Sequence, residues 1–132
     1  MAIETCLTVA GKLAFLEGKV KSDHVFKLAL YTEKASLGSD TEVYSRVNEV
    51  VADGYEPATL AKPVFSKSGK NAVMDFPGDV KWKNVTIAAA GCVIYDESLD
   101  NLVIAVGSFD GTITSTNDSF TLTPAKGLIK FL

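Results

Sequence analysis

The chain has 132 residues and a mass of 14.1 kDa, a size that suits one domain with its own apolar core. The net charge is −3 at pH 7, and lysine and arginine are scattered along the sequence, which argues against a nucleic-acid-binding surface. No apolar run approaches the roughly 18 residues that a membrane span needs, so we expect neither nucleic acid nor a membrane as a partner. Mean hydropathy is +0.19, slightly high for a globular chain, which predicts that some apolar surface meets a partner.

Two cysteines, Cys6 and Cys92, lie in apolar surroundings far apart in the sequence. This favours two buried, reduced thiols over a metal site, and a disulfide between them stays open as an alternative. The first residues lack the basic start of a secretory signal, so we expect a protein made in a cytoplasm.

Residues 3–17 carry apolar side chains at spacings of three and four, with polar residues such as Glu4 and Lys12 between them. This pattern predicts an amphipathic helix with a broad apolar face, ended by Gly18. We expect that face to pack on the alanine- and glycine-rich side of the central strand described below.

The segment after the helix is extended. Residues 24–31 predict a strand whose core face carries Phe26, Leu28 and Leu30. A surface loop follows over residues 32–41, and residues 42–51 fit either one or two helical turns or an irregular strand.

Two short strands come next, over residues 60–65 and 72–76, with a polar hairpin loop at 66–71. The loop contains a lysine and a glycine but lacks the leading glycine and following helix of a phosphate-binding loop. Pro57 and Pro63 place the first strand at an edge, since proline cannot donate to a neighbouring strand.

Residues 85–96 form the longest nearly uncharged run in the chain and are apolar on both alternating sets. A strand covered on both faces belongs in the middle of a sheet, so this run predicts the central strand of the fold. Residues 80–82 alternate before it. The apolar residues 102–109 predict its hairpin partner.

The end of the chain is richer in threonine and serine. Residues 112–119, bracketed by Asp110-Gly111 and Asn117-Asp118, predict an exposed, partly extended arm. Residues 120–123 and 128–131 predict two closing strands.

These elements together predict a mainly β fold, a β-sandwich or jelly roll with one N-terminal helix. Residues 1–132 are interpreted as a single domain, with the helix at 3–17 and the sandwich at 24–132. No internal repeat or linker interrupts the chain.

Few side chains point to chemistry. His24 is the only histidine, so a multi-histidine metal site is excluded and any catalytic dyad depends on this residue. Beside Asp23 at the start of a strand, it is interpreted as a surface residue without a function. Five aspartates at predicted strand ends cap turns, or two of them meet as an acid–base pair: Asp75, Asp79, Asp96, Asp100 and Asp110.

The aromatic residues offer one further alternative, a platform that stacks on sugar rings. Its candidate members are Trp82, Tyr31, Tyr44, Tyr55 and Tyr95. Packing in the core and at its rim is the more common use of such residues in a small β protein. The sequence therefore predicts no catalytic, cofactor-binding or metal-ligating residue and no enzyme activity.

The order of several short motifs resembles a widespread family of small tailed-phage virion proteins, from about residue 4 to residue 131. The motifs are Leu16-Glu17-Gly18, residues 26–32, Asn48-Glu49-Val50 with Gly54-Tyr55, residues 80–87 and residues 90–95. They are strand and turn pieces rather than catalytic signatures. The chain departs from the family pattern at Ala90, where a polar residue or arginine often precedes the glycine.

The resemblance implies a virion structural protein, made in the host cytoplasm and carried in the virion. Its most plausible role is a cement or decoration protein that binds the outside of the head, contacts the major capsid protein and forms a homo-oligomer, a dimer or a trimer. A tail or fibre component is the alternative within the same particle. A carbohydrate-binding module is the alternative from another class.

Overall fold

The computed structural model describes residues 3–123 and 129–131. Within these residues the chain is mainly β with antiparallel sheets and one α-helix, which confirms the predicted class at this level. The elements in chain order are β1 (Cys6–Leu7), α1 (Val9–Leu16), β2 (Phe26–Tyr31), β3 (Ala58–Thr59), β4 (Val64–Ser68), β5 (Asn71–Asp75), β6 (Val80–Asp96), β7 (Leu102–Leu122) and β8 (Ile129–Phe131). The larger sheet has the order β1-β7-β6-β2-β3 and the smaller sheet the order β4-β5-β8.

Strand β6 is the central strand of the larger sheet, as predicted for residues 85–96. It pairs with β2 on one side and with β7 on the other. It begins earlier than predicted, at Val80, because the alternating residues before the apolar run continue into it. A 3-10 turn, Glu97–Leu99, and the left-handed Asp100 then return the chain into β7.

Register shifts change which residues of β6 face the main core. The core-facing residues are first Val80 and Trp82, then Val85, Ile87 and Ala89, and finally Ile94. A β-bulge inserts one extra residue into a strand and so exchanges its two faces. One bulge includes Asn84, whose φ is 54°, and another follows Ala89. The prediction of two covered faces is confirmed from Ala89 to Asp96 and wrong at Thr86 and Ala88, which are exposed.

Residues 112–119 are extended and mostly exposed, as predicted, but they do not form a separate arm, because they belong to one continuous strand, Leu102–Leu122, with both flanking predicted strands. Asp110, Gly111 and Asn117 have φ values of 56°, 129° and 46°. Such residues suit turns, but positive φ is also what many β-bulges require. Here they let β7 bulge while it stays paired with β6.

The helix is shorter than the predicted range 3–17. Helix α1 spans Val9–Leu16, and the residues before it are extended. Ile3 forms a parallel bridge with Leu37, and Cys6–Leu7 pairs with β7 at the edge of the larger sheet. The apolar residues at the N-terminus thus fit a strand as well as a helix, and pairing with an available edge decides between them.

Thr8 anchors the start of α1 on β7. Its hydroxyl donates to the carbonyl oxygen of Val103 at 2.6 Å and accepts from the backbone N–H of Gly11 at 2.9 Å, as an N-cap residue does. Gly11 lies so close to β7 that a Cβ there would be 2.8 Å from the Cα of Ile104. The buried face of the helix therefore consists of Gly11 and Ala14.

The predicted packing of α1 is thus wrong in both face and partner. The helix lies on β7 rather than on the central strand. Three of its four large apolar side chains point to solvent, with Val9, Leu13 and Leu16 exposed by 62%, 55% and 85%, while Phe15 packs against the core. Gly18 follows the helix with a φ of 70°, in agreement with the predicted end.

The remaining predicted strands are largely confirmed. Strand β2 occupies Phe26–Tyr31 and is buried on both faces except at Lys27, not only on its predicted core face. The β4–β5 hairpin turns at Gly69 and Lys70, so the predicted bounds 60–65 for its first strand and 66–71 for its loop are wrong. Strand β4 nevertheless lies at the edge of its sheet, as the prolines predict. Strand β8 confirms the last predicted strand over Ile129–Phe131, and residues 124–128 lie outside the described residues.

The segment over residues 42–51 is irregular and contains no helix. It joins the larger sheet through two antiparallel bridges, Val43 with Leu102 and Glu49 with Tyr31. The predicted surface loop before it is also held in place, because Leu37 bridges to the N-terminal segment. These irregular residues therefore cover one side of the sheet instead of extending into solvent.

Two clusters of buried apolar side chains lie on opposite faces of β2 and of the last part of β6. The larger contains Phe26, Leu28, Leu30, Met74, Phe76, Trp82, Ile94, Ile104 and Phe120, among others. The smaller contains Ala29, Tyr31, Ala35, Val93, Tyr95, Val103 and Val106. Residues from both sheets contribute to the larger cluster.

Candidate interaction surface

The outer side of β7 presents a long stretch of backbone that pairs with no described strand. Near its start, β7 is covered by the bridge to Val43 and by the pairing with Cys6–Leu7. The last contact is the N–H of Ser108, which donates to the hydroxyl of Thr5 at 3.0 Å. From residue 109 to residue 122, β7 has only β6 as a neighbour among the described strands. We refer to residues 109–122 as the open edge.

The open edge is rich in threonine, which favours extended structure. Thr112, Thr114 and Thr116 are exposed, and Ile113 between them is exposed by 45%. Strand β7 contains no lysine, arginine or proline. Edge strands are commonly protected from further pairing by lysine, proline, other charged residues or bulges, and in β7 only the bulges and two aspartates serve that purpose. The bulges flank Ile113–Ser115, a short regular stretch that can accept another strand.

The β6–β7 ribbon holds this edge in a fixed shape. The hydroxyl of Ser115 donates to the carbonyl oxygen of Val85 at 2.8 Å. On the inner face, the rings of Trp82 and Phe120 meet edge to face at 6.0 Å, and the indole N–H of Trp82 donates to the carbonyl oxygen of Glu56 at 2.8 Å. The edge is therefore preorganised for binding, which reduces the entropy lost on association.

A second accessible feature is apolar. Leu16, at the end of α1, and Phe65, on β4, line a concavity of about 310 Å³ together with Phe15, Val73 and Met74. Leu16 is exposed by 85% and Phe65 by 46%. Exposed apolar concavities of this kind often mark contacts with other proteins.

His24, interpreted from the sequence as a surface residue without a function, is partly buried and bonded to a carboxylate. Its Nδ1 lies 2.7 Å from Oδ2 of Asp96, a fully buried carboxylate whose other oxygen accepts from the N–H of Ser98 at 3.0 Å. The hydroxyl of Ser98 in turn accepts from the N–H of Val25 at 3.0 Å. These bonds tie β2 to the end of β6. Sequence reasoning paired the histidine with Asp23 and missed Asp96, 72 positions away, because nothing in the spacing links them.

Three of the other four aspartates at predicted strand ends have structural roles. Asp79 accepts from the hydroxyl of Thr123 at 2.8 Å. Asp100 and Asp110 adopt left-handed backbone conformations at a turn and at a bulge. Only Asp96 of the five predicted candidates is fully buried.

Glu49 is the centre of a buried polar cluster. Its two carboxylate oxygens accept from the hydroxyls of Tyr44 and Tyr55, each at 2.6 Å. The ring of Tyr44 stacks on that of Tyr95 at 4.5 Å, and the hydroxyl of Tyr31 donates to a backbone carbonyl. The predicted alternative of an open aromatic platform is therefore not what these side chains form.

The pKa of Tyr95 is raised from an ordinary value of 10.0 to about 12, mainly by burial and to a smaller extent by the charge of Glu49. The pKa values of Tyr31, Tyr44 and Tyr55 are raised as well, in each case first by burial. These tyrosines stay neutral in the folded protein at pH values where the unfolded chain ionises.

We expect the protein to lose stability as pH rises above about 10, the ordinary tyrosine pKa. The unfolded chain releases its tyrosine protons first, so the stabilisation is complete below that pH and falls above it.

Glu49→Gln removes the buried charge and should lower the free energy of unfolding at pH 7 by about 1–2 kcal/mol. It should also flatten the alkaline decline. Urea unfolding between neutral and alkaline pH tests both effects, with the exposed Glu33→Gln as control. An unchanged alkaline slope in Glu49→Gln contradicts this role.

The two cysteines are both free and half-buried. Strand β7 separates them, since Cys6 pairs with Val106 and Cys92 pairs with Gly107. Burial raises the pKa of Cys92 to about 12, so its thiol stays protonated near neutral pH. Reduced thiols are as predicted, although neither side chain is fully enclosed.

Among residues 3–123 and 129–131, no group of three or more histidine, cysteine or acidic side chains is placed to hold a metal ion. No helix in this part of the chain is long and apolar enough to cross a membrane. Comparisons with protein-family models, with curated proteins and with solved structures found no match.

Proposed function

We propose that this protein is a structural component of a bacteriophage virion, and that it acts as a cement protein on the outer surface of the assembled head. The observation that carries the proposal is the open edge, a threonine-rich strand without lysine or proline along one side of a rigid ribbon. The motif resemblance to tailed-phage virion proteins supports the same role. The finer arrangement of the two sheets as a β-sandwich or jelly roll is part of this proposal.

The open edge suits this role because an extended segment of a capsid subunit can add to it as a further strand. Main-chain hydrogen bonds then supply affinity, and the exposed threonines add cross-strand contacts. The concavity at Leu16 and Phe65 offers apolar area for a second contact. Binding only to assembled subunits stabilises the shell by mass action. A dimer or trimer on the shell would multiply these contacts.

The test mixes the purified protein with assembled heads of the phage that encodes it. We expect co-sedimentation with the heads, a higher melting temperature of the shell, and density on the outer surface by electron microscopy. The variant Thr114→Lys/Thr116→Lys places two charges along the open edge and should weaken binding at least roughly tenfold, since lysine blocks edge pairing. The control Ser22→Lys/Ser36→Lys adds the same charge at exposed positions elsewhere and should bind normally.

Density confined to the tail would replace the cement role with a tail or fibre role. Failure of the protein to bind any part of the particle would overturn the virion proposal. Equal binding by both lysine variants would show that the open edge is not the contact.

A further inference from the structure

The exposed side of α1 forms one wall of a groove that the open edge does not include. The groove has a volume of about 680 Å³ and lies between the helix, the end of the loop at 32–41 with Glu42, and the β6–β7 turn. Its lining includes Val9, Leu13, Glu17, Asp40, Glu42 and Asp100. We call it the acidic groove.

The floor of the acidic groove is apolar. Val9 and Leu13 are exposed by 62% and 55%, although both belong to a helix that packs on the sheet. The helix buries Gly11 and Ala14 instead. Large apolar side chains left in water while small ones are buried indicate that this face is completed by a partner.

The rim of the groove is negatively charged. It carries Glu17, Asp40, Glu42 and Asp100, against which Lys19 is the one lining cation. The lining therefore has a net charge of −3, equal to that of the whole chain, so the charges elsewhere balance. Lys19 is already paired with Glu17 at 3.1 Å. The other three carboxylates form no ion pair with any residue in the described part of the chain.

We propose that the acidic groove binds a basic amphipathic segment of a partner protein, with an apolar side chain seated between Val9 and Leu13 and lysines or arginines facing the three unpaired carboxylates. A cation at this rim gains three acceptors that no group of the described chain occupies. Burial of the partner's apolar side chain completes the exposed face of α1. This inference does not depend on the virion role, since it uses a different surface.

The test measures binding of a fluorescent helical peptide built from leucine and lysine, and of its counterpart with glutamate in place of lysine. We expect the lysine peptide to bind and the glutamate peptide not to bind. Affinity for the lysine peptide should fall as salt is raised, because the carboxylates are exposed.

Two pairs of variants separate the apolar and the charged contributions. Leu13→Glu removes the apolar seat and should weaken binding at least about tenfold, the effect of losing one buried leucine. Val51→Glu adds the same charge at a side chain exposed by 93% outside the groove and should not weaken binding.

The second pair of variants tests the charged contribution, and each variant neutralises three acidic side chains. Asp40→Asn/Glu42→Gln/Asp100→Asn should weaken binding roughly tenfold, as three exposed ion pairs predict. Glu33→Gln/Asp53→Asn/Glu56→Gln makes the same change in charge at exposed residues elsewhere and should have little effect. Circular dichroism and thermal melting establish that each variant is folded.

Three results would overturn the proposal: no binding of the lysine peptide, equal binding of the glutamate peptide, or equal loss in the groove variants and their controls. A dimer in sedimentation that Leu13→Glu dissociates would also overturn it, since a second copy would then occupy the groove. If the protein binds the lysine peptide but does not bind phage heads, only the virion role is overturned.

Discussion

Gly91→Val is expected to lower the free energy of unfolding by about 3 kcal/mol, the upper part of the range for overpacking a dense site. A Cβ at Gly91 would lie 2.5 Å from the carbonyl oxygen of Gly107 and 2.8 Å from two side-chain carbons of Ile3. The first of these contacts is with backbone, which cannot rotate away. Either the β6–β7 pairing or the N-terminal segment must shift. Urea unfolding of the variant gives the change directly.

A glycine on the facing strand is the matched control. A Cβ at Gly107 would meet only the sulfur of Cys92, at an ordinary 3.5 Å. Gly107→Ala should therefore change stability by less than about 1 kcal/mol, whereas Gly91→Ala should already destabilise the protein. Sequence analysis predicts that the helix packs on the glycine-rich side of the central strand, but the neighbours at Gly91 are strand β7 and the N-terminal segment. An unchanged melting temperature in Gly91→Val would show that this face is open.

The central position of β6 could be predicted because it depends on composition alone. An uncharged run that is apolar on both alternating sets favours an inner strand, and β6 is covered on both faces from Ala89 to Asp96. The existence of the β4–β5 hairpin could be predicted as well, although not the bounds of its first strand, since a short polar segment between two apolar runs indicates a hairpin turn. Both features can be predicted because the residues that favour them lie close together in the sequence.

The single long strand β7 could not be predicted in the same way. Asp110, Gly111 and Asn117 favour positive φ, and the sequence does not say whether the chain reverses or bulges there. The chain bulges instead of reversing because β6 continues beside it, and this pairing joins residues that are far apart in the sequence. The open edge was therefore located correctly as an exposed threonine-rich segment at 112–119, but it was assigned to the wrong element.

The face of α1 shows a second limit. Leucine and valine at helical spacing normally predict the buried side. Here the hydroxyl of Thr8 and the missing side chain of Gly11 bring the backbone against β7, and three of the four larger side chains remain outside. Close packing at one contact thus outweighed the apolar pattern of the whole helix, and the acidic groove is its consequence.

Asp96→Ala is expected to lower the free energy of unfolding by about 3 kcal/mol, because it removes a fully buried acceptor and leaves two donors without a partner. Those donors are His24, at 2.7 Å, and the N–H of Ser98, at 3.0 Å. The carboxylate also caps the 3-10 turn that returns β6 into β7. Its loss should therefore loosen both the β2–β6 contact and the turn. Hydrogen exchange should show faster opening at both places.

Asp96→Asn separates the two contributions, since its amide oxygen can still accept from Ser98 while its charge is gone. We expect it to destabilise the protein by about 1 kcal/mol, less than the alanine variant. His24→Ala removes one donor from a partly exposed site and should have a similar effect. In a double-mutant cycle, His24→Ala and Asp96→Ala should add to less than the sum of their separate effects, because each removes the same bond. Strict additivity, or an Asp96→Ala effect as small as that of the exposed Asp53→Ala, would show that the pair does not hold β2 to β6.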